Sequence, residues 1–267
     1  NTRSRGLGDV YKRQTIDNPV AIVTGAAQGL GKAIAKRLAD EGCRVSITDK
    51  NSEVVVAGEE IGAESYVGNV GEARHVRQVV DSVLKIYGKI DILINNAGEV
   101  FPTGPRDDWD TTDEMFDRVF SSNTKGAYLF GRAVASCMMQ NNFGHILNVS
   151  TDHVKPSPTS ARHHGHGNMD LYNASKWALN GFTFDWAKSL AKYNIRVNNL
   201  CVGATNTEML RKWSGSNPDP EWVKSWMKPE DVAEVVISLI EEGPDGRTGD
   251  NVGLYAGFDC ILPPAET

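Results

Sequence analysis

The sequence lacks the features that would direct it to a membrane or to nucleic acid. No apolar run approaches the roughly 18 residues that a membrane-spanning helix needs. The 28 lysines and arginines against 34 acidic residues leave a net charge of −6, with both signs mixed along the chain. Because a nucleic-acid-binding surface requires a basic patch or stripe, we predict neither a membrane nor a nucleic acid as a partner.

Cysteine is also scarce. The four cysteines are far apart and match no metal-site spacing; they are Cys43, Cys137, Cys201 and Cys260. We therefore expect buried residues or free thiols rather than metal ligands. Free thiols are typical of a reducing compartment, so we predict a cytoplasmic location.

Length and composition indicate one globular domain. The chain has 267 residues, of which 40% are hydrophobic and 23% charged, enough for a core of useful size. Residues 1–14 are polar and basic and do not fit the pattern that follows. We expect them to be a non-native or disordered leader, with a genuine flexible arm as the alternative, and residues 15–267 to form the domain.

Strand and helix patterns alternate from residue 19 onward. Strand-like apolar runs lie at 19–23, 44–48, 90–94, 145–149, 195–200 and 251–255. Helical periodicity is clearest at 72–88, 112–141 and 172–193. This alternation predicts an α/β fold with a mostly parallel sheet of about seven strands and helices on both faces. Ligands in such folds bind beyond the carboxyl ends of the strands.

A glycine-rich segment lies between the first strand and the first helix, and an acid ends the second strand. The segment includes Gly25, Gln28, Gly29, Leu30 and Gly31, and the acid is Asp49. Glycines let the backbone approach a pyrophosphate, which the free N–H groups of a helix N-terminus can bind. Glycines alone also fit an ordinary tight turn. Asp49 favours the dinucleotide-binding interpretation, because a carboxylate at that position accepts hydrogen bonds from both ribose hydroxyls and repels a 2′-phosphate.

The motifs taken together resemble one family. The first segment is spaced Thr-Gly-x-x-x-Gly-x-Gly, Asn95-Asn96-Ala97-Gly98 follows the strand at 90–94, and Tyr172 and Lys176 form Tyr-x-x-x-Lys. Over about residues 18–263 the chain resembles the classical short-chain dehydrogenase/reductase family. The resemblance implies a single-domain Rossmann-type fold and an NAD(H)-dependent oxidoreductase that interconverts a secondary alcohol and a carbonyl by hydride transfer.

The resemblance also implies catalytic roles. Tyr172 would be the general acid and base, with its phenolate stabilised by the nearby ammonium of Lys176. Asn123 would hold a water that links Lys176 to solvent. The hydroxyl that bonds the substrate oxygen is Thr151 if positions are counted from the strand end, with Ser150 as the alternative.

The family's cofactor contacts map onto further positions. We expect NAD to contact the loop residues, Asp49, Tyr172 and Lys176, together with Asn69, Val70, Asn96, Ala97, Gly98, Gly203, Thr205 and Thr207. Asn69 replaces the family's usual aspartate beside adenine, and Val202 replaces the proline before Gly203. Lys50 opposes the NAD prediction, because a lysine there can reach a 2′-phosphate.

Two segments bear on the substrate. Histidines 163, 164 and 166 raise the idea of a metal site, but a polar lid or subunit contact is the favoured interpretation, and we predict no metal. Residues 208–228 correspond to the family's substrate lid, and Trp213 is a predicted substrate contact. Trp222 and Trp226 accompany it, and a role in subunit packing remains open. A polyol or sugar, a cyclic alcohol and an oxo-acyl thioester all fit.

Three further expectations concern alternatives and assembly. A catalytically silent NAD-binding regulatory protein of this fold would normally lack the tyrosine or the lysine. An extended-branch epimerase or dehydratase would normally have another glycine spacing and a longer chain. The family usually pairs its two central helices, here 112–141 and 172–193, across subunits, so we predict a homotetramer.

Overall fold

Seven parallel strands form one sheet in the computed structural model, which describes residues 18–155 and 167–265. The strands are Val20–Thr24 (β1), Arg44–Asp49 (β2), Glu64–Val67 (β3), Ile92–Asn95 (β4), Gly144–Thr151 (β5), Ile195–Val202 (β6) and Asn251–Leu254 (β7). Their order is β3-β2-β1-β4-β5-β6-β7, and every neighbouring pair is parallel. The chain changes direction across the sheet between β1 and β4, which is where such folds open a ligand crevice.

Helices connect the strands. They are Gly29–Asp40 (α1), Val54–Ile61 (α2), Ala73–Tyr87 (α3), Trp109–Phe120 (α4), Gly126–Asn141 (α5), Asp170–Leu190 (α6), Glu208–Trp213 (α7), Pro220–Lys224 (α8) and Pro229–Glu241 (α9). A π-helical turn, Ser121–Lys125, joins α4 to α5, and a 3₁₀ turn, Ala191–Tyr193, follows α6. None of the helices within the described ranges has the length and apolar character needed to cross a membrane.

The core consists of two apolar layers, one on each face of the sheet. Successive strand residues point to opposite faces, so Ala21 and Val23 pack with α1 and α9, while Val20 and Ile22 pack with α3 and α5. Both faces of β1 are therefore buried, which explains why the strand is a continuous apolar run rather than an alternating one. The predicted doubly wound α/β fold is confirmed.

The apolar face predicted for α3 is confirmed as well. Its four valines, Val76, Val79, Val80 and Val83, are all buried in the second layer. Burying one such side chain contributes about 1.5–3 kcal/mol. The helix ends at Tyr87, and the following Gly88 has φ of 76°, the left-handed conformation that closes the last turn.

Some element boundaries differ from those predicted. The helix expected at 112–141 begins at Trp109 and is interrupted by the π turn at 121–125. The strand expected at 90–94 begins at Ile92, because Ile90 and Asp91 precede the first sheet pairing. The π turn adds one residue to the helical turn at Asn123, and the Asn123 side chain forms hydrogen bonds with residues outside the helix.

Candidate active site

The glycine-rich loop is shaped by close packing at the end of β1. Gly25 and Gly29 have φ of 65° and 57°, a conformation that disfavours other residues. A Cβ on Gly31 would lie 2.2 Å from the carbonyl oxygen of Gly25, so α1 starts directly against the loop. No side chain caps α1 at Gln28. The first-turn N–H groups therefore suit a cofactor's pyrophosphate, and the residues present fit such a group.

Asn96 fixes this loop from the neighbouring strand. Its side-chain amide donates to the carbonyl oxygens of Thr24 and Gly25 at 3.0 and 2.9 Å. In return, the Thr24 hydroxyl accepts the N–H groups of Asn96 and Ala97, both at 3.1 Å. The Asn95–Gly98 segment therefore joins the ends of β1 and β4 into one surface.

A row of asparagines aligns the strand ends beside this surface. Asn95, Asn148, Asn199 and Asn251 are in register across β4 to β7. The amide of Asn95 donates to Asn148 at 2.9 Å, and that of Asn199 donates to Asn251 at 2.8 Å. Between them, Thr183 of α6 accepts from Asn148 and donates to Asn199. The network attaches α6 to the sheet near the carboxyl ends of the strands, where the site lies.

Asp49 lies at the end of β2, beside the glycine-rich loop. Its carboxylate accepts the N–H groups of Ala27 and Asn51 at 3.1 and 3.0 Å, which orients it toward the loop. The next residue, Lys50, pairs with Glu99 at 2.5 Å. Glu99, which no motif predicted, follows Gly98 at the end of β4 and also pairs with Arg118 at 3.2 Å.

Tyr172 and Lys176 lie one turn apart on α6. The Lys176 ammonium is 5.9 Å from the centre of the Tyr172 ring and donates to the Val149 carbonyl at 2.8 Å. Burial lowers the pKa of Lys176 to about 8. Burial also raises the pKa of Tyr172 to about 12, against a lowering effect of its hydrogen bond with Thr151. Both pKa shifts show how strongly this site disfavours charge before a ligand binds.

Asn123 lies in the π turn between α4 and α5, close to Gly98. Its amide donates to the Glu99 carbonyl at 2.9 Å and to the Ser175 hydroxyl at 3.0 Å, and its oxygen accepts the Glu99 N–H at 2.7 Å. Gly98 separates it from the lysine: a Cβ there would lie 3.2 Å from the Lys176 nitrogen and 3.3 Å from the Asn123 oxygen. Glycine at this position lets the two side chains approach without either having to shift.

Thr151 and Ser150 point in different directions at the end of β5. The Thr151 hydroxyl hydrogen-bonds the Tyr172 side chain and donates to Asp152 at 3.2 Å. Ser150 instead contacts Cys201, its register partner on β6. Both residues line the cavity, and Thr151 is the one joined to the tyrosine.

One cavity of about 930 Å³ connects these features. All the predicted cofactor positions line it: Gly25, Gln28, Gly29, Leu30, Gly31, Asp49, Asn69, Val70, Asn96, Ala97, Gly98, Tyr172, Lys176, Gly203, Thr205 and Thr207. Helices α7 and α8 border it with Trp213 and Trp222. Trp226 is buried and packs edge-on against Trp222, with ring centres 5.0 Å apart, rather than facing the cavity.

Besides Glu99, two polar residues that follow β5 on this wall were missed from the sequence. Asp152 and His153 directly follow Thr151, and their position just past the carboxyl end of a strand was the available signal. The His153 ring bonds the Asn173 side chain at 2.8 Å and meets the Tyr172 ring edge-on at 6.5 Å.

The histidines at 163, 164 and 166 and the segment 1–14 lie outside the described residues. Across 18–155 and 167–265, no group of three or more histidine, cysteine or acidic side chains is placed to hold a metal ion. In the same ranges the four cysteines are free thiols, with Cys43 and Cys201 buried.

The sheet order and the cavity lined by the glycine-rich loop, Tyr172 and Lys176 define a doubly wound α/β protein with its crevice at the carboxyl ends of the strands. The family profile described as short chain dehydrogenase matches residues 19–217. The chain therefore belongs to the short-chain dehydrogenase family, which confirms the resemblance identified from its motifs.

Individual relatives agree in length as well as sequence. The chain is 30% identical to dehydrogenase/reductase SDR family member 4 of Sus scrofa, over 93% of this chain and 90% of that one. It is 31% identical to a 3-oxoacyl-[acyl-carrier-protein] reductase of Thermotoga maritima, over 91% and 98%. Sorbitol-6-phosphate 2-dehydrogenase of Klebsiella pneumoniae is 29% identical, over 92% and 90%.

A solved structure shares the fold. It is that of an actinorhodin polyketide ketoreductase variant with NADPH, which superposes with a TM-score of 0.80 at 26% identity. The match covers 90% of this chain and 97% of that one.

Proposed function

We propose that the protein is an NAD(H)-dependent oxidoreductase that interconverts a secondary alcohol and a carbonyl in a small substrate. The observation that carries the proposal is the Tyr172 side chain at the cavity wall, joined to Thr151 on one side and near Lys176 on the other. These are the positions that the family resemblance assigned to proton transfer.

In the proposed reaction, Tyr172 takes the hydroxyl proton of the alcohol, and in reverse it returns that proton to the forming alkoxide. When bound, the nicotinamide cofactor accepts or supplies the hydride. Thr151 holds the substrate oxygen, and Lys176 stabilises the phenolate form of Tyr172. Asn123, whose side chain is held by Glu99 and Ser175, is the proposed position of the water that links Lys176 to solvent.

Tyr172→Phe tests the chemistry. The substitution keeps the ring and removes only the hydroxyl, so we expect turnover to be abolished while NADH binding stays nearly intact. A panel of alcohols is assayed with NAD and NADP by the absorbance of the reduced cofactor, and NADH binding by fluorescence. A variant that retains a tenth of the wild-type activity would remove Tyr172 from the role.

The preference for NAD rests on the charges near the ribose position. Asp49 is held beside the loop by Ala27 and Asn51, where a 2′-phosphate would meet its negative charge. Lys50, which could favour that phosphate, is paired with Glu99. The ketoreductase structure holds NADPH, so the inference depends on this chain's own residues.

The cofactor preference is tested by Glu99→Gln. Its backbone contacts to Asn123 do not depend on the side chain, so the variant releases Lys50 without removing that support. We expect the ratio of NADP to NAD efficiency to rise about fivefold. Glu60→Gln is the control, because Glu60 pairs with Lys32 at the same 2.5 Å distance outside the cavity lining. A wild-type preference for NADP would refute the assignment.

The homotetramer and the cytoplasmic location are also proposals. Large apolar side chains are exposed on the outer faces of the central helices, including Phe116 at 45%, Trp177 at 55% and Phe184 at 55%. Such a surface suits burial against a second copy. Light scattering at micromolar concentration tests the homotetramer, and a monomer at that concentration would reject it.

Helices α7 and α8 remain the proposed substrate lid within 208–228.

A further inference from the structure

His75, in the first turn of α3, contacts the ends of two neighbouring strands without lining the cavity. Its side chain is buried, with 7% of the residue exposed. Burial lowers the pKa of the ring from its ordinary value of 6.5, so the imidazole is neutral at neutral pH. A buried polar ring of this kind is held in one orientation by its hydrogen-bond partner and by the atoms packed against it.

The hydrogen-bond partner of His75 is Thr48, the next-to-last residue of β2. The Thr48 hydroxyl lies 2.7 Å from His75 Nε2. The carbonyl oxygen of Thr48 accepts the N–H of Gly25 at 2.8 Å, and Asp49 follows Thr48 directly. His75 therefore holds the end of β2 at the point where it meets the glycine-rich loop and carries the carboxylate proposed to bind the ribose.

The residue packed against the ring is Gly68, which follows β3 and precedes Asn69. A Cβ on Gly68 would lie 2.2 Å from His75 Nδ1, and its next two nearest atoms would also belong to the ring. The Gly68 N–H donates to the Asp49 carbonyl at 2.8 Å, and the Asn69 side chain accepts the Gly71 N–H at 2.9 Å. The segment that carries Asn69 is therefore joined to β2 through its backbone and to α3 through the His75 ring.

We propose that His75 is a positioning residue for the adenosine half of the dinucleotide, and that it sets the separation between Asp49 and Asn69. The inference rests on the proposed function, because it takes the ribose to lie at Asp49 and the adenine at Asn69. Both of these residues line the cavity, and His75 contacts the residue that precedes each of them. Removing the ring leaves a space into which either segment can move, so cofactor binding weakens while the chemistry at Tyr172 is unaffected.

His75→Ala tests the inference by separating KM from kcat. We expect KM for NAD to rise about fivefold to tenfold, the order expected for one lost hydrogen bond, with no fall in kcat and no change in KM for the alcohol. The dissociation constant of NADH, measured by fluorescence, should rise by the same factor, which makes the result independent of turnover. His75→Gln should recover most of the binding, because its side-chain amide can hydrogen-bond Thr48 in place of Nε2.

Gly68→Ala shows whether the ring acts through the glycine. In the wild-type background the added Cβ meets the ring, so we expect NADH binding to weaken about tenfold. In the His75→Ala background the ring is gone, and the same substitution should weaken NADH binding less than about twofold. Equal effects in the two backgrounds would mean that the added methyl group disturbs the cofactor directly, and would overturn the inference.

Val83→Ala is the matched control for a general loss of stability. Val83 lies further along α3, is buried in the same apolar layer and does not line the cavity. Its truncation should lower the free energy of unfolding in urea and leave the NADH dissociation constant unchanged.

Two results overturn this inference alone: an NADH dissociation constant that His75→Ala leaves unchanged, or one that Val83→Ala raises as much as His75→Ala does. NADPH replaces NADH in these titrations if wild type binds it more tightly. If wild type binds neither dinucleotide, the proposed function fails, and the inference fails with it.

Discussion

Replacing Lys176 with methionine should stabilise the cofactor-free protein while abolishing its activity. The Lys176 side chain is buried, and its pKa falls from 10.5 to about 8. Since one pH unit corresponds to about 1.4 kcal/mol, holding this ammonium in the folded state costs about 3 kcal/mol at neutral pH. Methionine has a similar length, removes the charge, and loses the hydrogen bond to Val149, worth about 1 kcal/mol. We expect the free energy of unfolding to rise by about 2 kcal/mol at pH 7.

The sign of the pH dependence follows from the lowered pKa. Below pH 8, Lys176 is charged in both the folded and the unfolded chain, so the full cost is present. Between the folded pKa of about 8 and the unfolded value of 10.5, only the unfolded chain remains protonated, and the cost declines. The advantage of Lys176→Met should therefore be largest at pH 7 and nearly absent at pH 10.5.

Urea denaturation followed by circular dichroism, at equal protein concentrations and at both pH values, measures this difference. Lys36→Met is the control, because the Lys36 side chain is 64% exposed and should change stability little. A Lys176→Met variant that is less stable than wild type at pH 7, or whose advantage does not vary with pH, contradicts the reasoning. Turnover should be lost in either case, since the phenolate of Tyr172 loses its cation.

Three other outcomes follow from the site. Thr151→Ala should lower turnover about 10²–10³-fold, and Thr151→Ser should stay active. Ser150→Ala should lower turnover only slightly. The reverse pattern in steady-state kinetics would make Ser150 the catalytic hydroxyl. Alcohol oxidation should accelerate from pH 6 to pH 7.5, because burial raises the pKa of Tyr172 to about 12 and the base form gains with pH while Lys176, with a pKa of about 8, is still charged; a rate that falls over that range is inconsistent with this base. Gly31→Ala should weaken NADH binding more than tenfold, because the added Cβ would lie 2.2 Å from the Gly25 carbonyl oxygen and displace the loop. Gly181→Ala is the control: its Cβ would have no neighbouring atom within 4 Å, so NADH binding in a fluorescence titration should be unchanged.

Local features of the chain explain why the fold was predictable. A strand buried on both faces must be a continuous apolar run, as β1 is, and a helix packed on one face must repeat its apolar residues, as α3 does with Val76 and Val80. The backbone at Gly25 needs a left-handed conformation that glycine adopts most readily. Such signals lie within a few residues, so no knowledge of distant contacts was required.

The π turn at 121–125 was not predictable in the same way. Helical periodicity continues through it, so the sequence indicated one uninterrupted helix. The turn accompanies long-range hydrogen bonds that Asn123 forms with Glu99 and Ser175, residues 24 and 52 positions away. Because these partners are distant in the sequence, the local residue pattern does not indicate the π turn.

The choice between Thr151 and Ser150 shows the same limit at the site. Alternation along β5 establishes that the two side chains point to opposite faces, but not which face carries the tyrosine. The packing of α6 against the sheet decided this by bringing Tyr172 to the Thr151 hydroxyl.

The amino-acid sequence by itself determined the strand and helix pattern, the glycine-rich loop and the residue types of the proposed proton-transfer pair. Tertiary structure alone brought Glu99 to Lys50, and Asp152 and His153 to the cavity wall. The physical reason is that periodicity and backbone conformation are local properties, whereas ion pairs, burial and the resulting pKa shifts depend on which distant segments the sheet order makes neighbours.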